Sequence, residues 1–195
     1  MNRALEHLEQ MRQGLSRQPF ILFVQDRTYD PWHRLSFAPC LAPMTMGFAD
    51  LMRYGLRDTR SKDRLQQVLN AHTFVDDQHW RLFLRDLETL GLNEPLSLSS
   101  SLQLLWGEHS AKSRQLIYTV MSLVRGLSPI LRLVTLEAIE VAADVGFSHF
   151  REVGREHTAR TGEQLVYFGQ RHQDQEDLHE AMDAESIRSL IAAHA

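Results

Sequence analysis

Apolar residues in this chain recur at helical spacing almost from end to end, and this pattern leaves little room for a sheet. Leu65, Val68, Leu69, Phe74 and Val75 lead into Leu82, Phe83 and Leu87. Leu105, Leu116, Val120, Met121 and Val124 form a second run, and Leu133, Val134, Leu136, Ile139, Val141 and Val145 a third. Alternation with period two is confined to Phe20–Val24 (FILFV), the only strand-like stretch. Gly and Pro number 10 and 6 among 195 residues and fall mostly where helices should begin or end. Asp30-Pro31 and Ser128-Pro129 pair a cap with a proline suited to the first turn. Gly91, followed by Asn93 and Pro95, is a stop signal. Ser100 with Gln103, and Thr161 with Gln164, have capping-box spacing. Pro39 and Pro43 should kink the second helix or divide it into two.

These marks predict helices near 2–17, 31–57, 60–90, 99–126, 128–157, 162–180 and 184–193. The expected fold is an all-α, single-domain bundle of about seven helices spanning 1–195, with residues 1–30 as an N-terminal arm packed on it. The length suffices for a core without disulfide or metal staples. Lys+Arg 21 against Asp+Glu 25 gives no basic excess, which argues against a nucleic-acid partner. Cys40 is the only cysteine, consistent with a reducing compartment. The N-terminal stretch lacks an apolar signal core, and no run approaches 18 apolar residues, so no membrane partner and a cytoplasmic location are expected. Oligomeric state is left open, with a homodimer, the commonest assembly, as the default.

Two segments carry the chemistry. His72-Thr-Phe-Val-Asp76-Asp-Gln-His79 and His172-Gln-Asp-Gln-Glu176-Asp-Leu-His179 share the form His-x3-acid-x2-His. On a helix these positions lie within a stripe of about 60°. Each segment would therefore aim two imidazoles and a carboxylate in one direction, a nitrogen and oxygen donor set for a metal. With 10 His and 25 acids, a shuffled chain would contain about 0.06 such patterns. The inner unit, acid-x-x-His, is the one that helix bundles with two iron or manganese ions use on two helices, with one carboxylate from each of the others. Glu137, Glu140 and Asp144 offer carboxylates from a third helix inside an apolar run, where ionisation is costly unless a cation is near. Glu140 is the leading candidate and Glu137 the alternative on the same stripe.

The chain resembles the heme-oxygenase-like diiron oxidases and oxygenases, which share the seven-helix fold of heme oxygenase and the TenA proteins. The resemblance runs from about Phe37 onward. It rests on Phe37-Ala-Pro-Cys-Leu-Ala-Pro, His72-Thr-Phe-Val-Asp-Asp-Gln-His-Trp80, Leu82-Phe-Leu-Arg-Asp-Leu87, Glu137-Ala-Ile-Glu140, and Tyr167-Phe-Gly-Gln-Arg-His172 with Glu176 and His179. It implies metal ligands at His79, Glu140, His172, Glu176 and His179. Where better-known members carry a glutamate seven positions before the first of these, this chain has His72. Three readings follow: His72 ligates in its place, Asp76 takes the carboxylate role, or a single metal is held tightly. The implied cofactor is iron, two ions per chain, with manganese as the alternative. The implied activity is an O2-dependent oxidation of a small organic substrate. Other readings of the same fold are a TenA-like hydrolase of a thiamin-type pyrimidine, for which Cys40 would be the only thiol nucleophile, a true heme oxygenase, for which no Gly-rich distal segment follows His7 or His33, and a non-enzymatic protein that keeps the fold.

Overall fold

The structure is a computed structural model that describes residues Arg3–Gln170 and Glu185–Ala193. It is all-α, as the apolar spacing predicts, with no strand among the described residues. The helices are α1 (Arg3–Leu15), α2 (Pro19–Gln25), α3 (Pro31–Leu35), α4 (Ala38–Asp50), α5 (Arg64–Asp76), α6 (Trp80–Thr89), α7 (Leu98–Trp106), α8 (Ala111–Val124), α9 (Pro129–Thr161) and α10 (Glu185–Ala193). A π-helical turn, Leu51–Leu56, continues α4, and a 3-10 turn, Glu108–Ser110, precedes α8.

Local signals placed several ends correctly. Asp30 accepts a hydrogen bond from the His33 amide ahead of Pro31, and Ser128 is extended before Pro129. Gly91, just past α6, has φ +66°. Elsewhere tertiary structure prevails. Phe20–Val24 is helical: Pro19 opens α2, and Ile21 and Val24, three apart, are buried where α2 packs on α9. The segment 31–57 divides at Ser36–Phe37, with Pro39 in the first turn of α4 and Pro43 inside it. The expected helix 60–90 breaks at 77–79, and 99–126 breaks at Gly107. Ser97, rather than Ser100, caps α7. Thr161 belongs to the last turn of α9 instead of opening a helix, and residues 163–169 are irregular. The remainder of the expected helix 162–180 lies mostly outside the described residues.

Within Pro31–Leu56 an 18-residue window reaches a mean hydropathy of 1.2, so by length and composition alone this stretch could cross a membrane. This corrects the expectation that nothing comes near that length: no charge interrupts Leu35–Ala49. In the fold the stretch is shared by α3, α4 and the π turn, which pack on α6, α8 and α9.

Helix α9, roughly 50 Å long at 1.5 Å per residue, is the axis of the molecule and touches α1, α2, α3, α5, α8 and α10. Two apolar clusters sit along it. Leu133 and Leu136 near its start join Leu51, Met52, Leu56, Leu69, Val124, Ile187 and Ile191. Phe150 and Val153 near its end join Val24, Leu35, Phe83, Tyr167 and Phe168. Each such side chain, once buried, contributes about 1.5–3 kcal/mol.

The segment 165–168 is fixed to this second cluster by an unusual anchor. Asp86 of α6, fully buried, accepts hydrogen bonds from the amides of Val166 (2.7 Å), Tyr167 (2.8 Å) and Phe168 (2.8 Å). Burial pushes its carboxyl above the ordinary range, while the three amides pull it back. The backbone of Phe168 also lies so close to α9 that a methyl group added at Gly154 would collide with the Phe168 carbonyl oxygen. Gly154→Ala is therefore expected to cost about 1–3 kcal/mol through overpacking, a loss that urea unfolding at equilibrium would register. An unchanged midpoint would contradict the close approach.

Candidate metal centre

The middle of α9, between the two apolar clusters, carries Glu140, and α5 packs beside it. His72 and Asp76, four residues apart and so on one face of α5, are both buried and aimed at Glu140. His72 Nε2 stands 2.8 Å from Asp76 Oδ2 and 3.3 Å from Glu140 Oε1. One ligand atom from each of the three residues lies within 4.8 Å of the others.

The electrostatics favour a positive charge at the centre of this group. Burial opposes protonation of His72, but its hydrogen bonds to Asp76 and Glu140 and their negative charge prevail and push its pKa up to about 11. Burial pushes the Glu140 carboxyl above its usual range; His72 pulls it down, and nearby Asp76 and Glu137 push it up again. Two carboxylates taken out of water side by side need a proton or a cation between them. A dication in contact with the three residues would supply it and displace the imidazole proton, since a ligating histidine must be neutral. The donor spacings of 2.8 and 3.3 Å fit a common cation, because two ligands at right angles on bonds of ~2.1 Å lie about 3 Å apart. The group could thus hold one metal ion through nitrogen and oxygen donors.

Of the residues expected from the sequence, the structure brings together His72, Asp76 and Glu140. His79 is outside this group: α5 ends at Asp76, and the intervening turn carries His79 to the N-cap of α6, off the stripe that a continuous helix would have given it. His172, Glu176 and His179 lie outside the described residues. Of the two glutamates of α9, Glu140 is the one that lies with His72 and Asp76. Glu137, buried, accepts a hydrogen bond of 2.6 Å from Arg188 of α10, and Asp144 pairs with Arg12 of α1. Arg132 donates to Gln66, and Arg114 donates to the carbonyls of Leu105, Trp106 and Gly107, so both are engaged away from Glu140. Cys40 is half-buried on α4, where its carbonyl accepts a hydrogen bond from Ser113.

A second polar stripe runs along α5 to its C-cap, Gln66, Asn70, Thr73 and Asp77, every member of which is buried. Its heptad-like spacing inside a packed helix is the sequence signal that marks it. No family model matches the chain, and no curated protein matches it either. The chain is an all-α protein with a largely buried His/Asp/Glu group that could hold a cation.

Proposed function

We propose that the protein is an O2-dependent non-heme iron oxidoreductase acting on a small organic substrate. The observation that carries this reading is the convergence of His72, Asp76 and Glu140 from two helices at the middle of the fold. Mixed imidazole and carboxylate donors suit Fe(II) or Mn(II), whereas a thiolate set would point to zinc or an iron–sulfur cluster. Iron held there would supply the activation of dioxygen. His72 would give its nitrogen, Asp76 and Glu140 would neutralise the ion, and the buried setting would limit access of water. A second iron rests on the repeated sequence pattern, with His79, His172, Glu176 and His179 as its further ligands.

The test is iron loading under anaerobic conditions. Metal-free protein is incubated with Fe(II), desalted and assayed for iron, after which oxygen is admitted and its uptake followed. At least one iron per chain is expected to remain bound, with oxygen uptake faster than that of the same concentration of free Fe(II). Glu140→Ala should lose both. Less than one iron per chain, or wild-type retention in Glu140→Ala, would overturn the reading.

A further inference from the structure

The turn that leads from α4 toward α5 is held against α5 by an almost continuous ladder of polar contacts. It begins in the π turn, closed by the Arg57 amide donating to the Met52 carbonyl, an i to i−5 bond of 3.1 Å. The Gln66 amide group donates to the Leu56 carbonyl (2.8 Å) and to Asn70 Oδ1 (2.9 Å). Asn70 also accepts from the Asp58 amide (2.9 Å) and donates to the Asp58 carbonyl (2.8 Å). Arg57 Nε donates to Thr73 Oγ1 (3.0 Å), and its Nη2 donates to the Thr73 carbonyl and to Asp77 Oδ2 (2.8 Å). Arg53 Nε donates to the same Asp77 oxygen (3.1 Å). The Arg57 guanidinium also lies 3.8 Å from the centre of the Phe74 ring.

Residues 66, 70 and 73 of α5, continued by Asp77 at its C-cap, form one stripe, and His72 and Asp76 form another, roughly 110° around the helix at 100° per residue. An apolar interface alone fixes the rotation of a helix loosely. A ladder of directed bonds over three turns fixes it tightly, because each bond is lost when the helix turns about its axis. Pi-helical turns occur often at functional sites, and this one brings Arg53 and Arg57 to the end of α5 that carries His72 and Asp76. Thr73 and Asp77, which they grip, directly follow those two residues in the chain.

We infer that the Arg53–Arg57 clamp sets the rotation of α5 and so aims His72 and Asp76 at Glu140, with Arg57 as the principal positioning residue of the metal centre. This rests on the reading of that centre as a metal site. Outer partners of metal ligands are worth about 10–100-fold in metal affinity, and Arg57 acts on the ligand helix in the same sense.

The experiment is a Co(II) titration of the full chain, followed by visible absorption, for wild type, Arg57→Ala, Arg57→Lys, Thr73→Val and, as a remote control, Arg27→Ala. Arg27 is exposed and pairs with Glu156 of α9, 16 residues beyond Glu140 in the chain. Arg57→Ala should bind Co(II) at least 10-fold more weakly and with an altered d–d spectrum, Arg57→Lys should recover part of both, and Arg27→Ala should match wild type. Thr73→Val keeps its shape while removing one acceptor of Arg57, and it should move affinity in the same direction if Arg57→Ala does not fold. Wild-type affinity and spectrum in folded Arg57→Ala, or in Thr73→Val, would overturn the clamp and leave the metal site standing. Failure of the wild type itself to bind Co(II) would overturn both.

Discussion

Replacing Asp86 by alanine is expected to lower stability by about 4 kcal/mol. The carboxylate accepts the amides of Val166, Tyr167 and Phe168 in a fully buried position. Truncation leaves three donors sealed from water, at roughly 1–3 kcal/mol each and less than additive because they share one acceptor group. The loss extends to packing, since the same segment delivers Phe168 to the aromatic cluster, 5.6 Å from Phe150 and 6.2 Å from Phe83 between ring centres. For a chain of this size the melting temperature should fall by on the order of 10 °C. Asp86→Asn retains one oxygen acceptor and should fall between the two. Equilibrium urea unfolding with near-ultraviolet circular dichroism as the probe would measure it. A change under ~1 kcal/mol would mean that the segment finds other partners and that the anchor is dispensable.

The second large effect is at His72. Its imidazole stands between Asp76 and Glu140, so His72→Ala removes both a proposed metal ligand and the positive charge that lets a buried and a half-buried carboxylate face each other. Metal affinity should drop at least 100-fold, more than the 10–100-fold that outer-partner changes cost. Without metal, the variant should also be less stable by about 3 kcal/mol near neutral pH, as when one member of a buried ion pair is removed. Adding Glu140→Gln to His72→Ala should return part of that stability, because it deletes one of the two facing charges, while leaving metal binding abolished. Isothermal titration with Co(II) and chemical unfolding of the metal-free proteins would separate the two consequences. Unchanged metal affinity in His72→Ala would remove the imidazole from the site, and a double variant no more stable than the single would show that the carboxylates do not repel.

What the sequence made legible follows the range of the forces involved. Asp30-Pro31, Ser128-Pro129 and Gly91 act within a turn of themselves, and helix ends fell where they were expected. His72, Asp76 and Glu140 stood out because ionisable groups at helical spacing in apolar surroundings call for a partner. The turn before His79 shows what spacing alone does not give. A spacing argument assumes an unbroken helix, and here Asp77, the first residue beyond α5, is held by Arg53 and Arg57 from 24 and 20 residues earlier. Phe20–Val24 is ambiguous in sequence for a related reason: five apolar residues fit either period, and packing on α9 makes them helical. Asp86 gave no local sign at all, because its partners lie 80 to 82 residues away.

The central claim is that His72, Asp76 and Glu140 share a metal ion, and X-ray diffraction from crystals of the iron-loaded protein at the iron absorption edge tests it most directly. The account predicts an anomalous difference peak about 2.0–2.2 Å from His72 Nε2 and from a carboxylate oxygen of each of Asp76 and Glu140, using usual ligand distances. Iron-loaded crystals with no peak among these three side chains, or with iron bound elsewhere and the imidazole still bridging the two carboxylates, would contradict it.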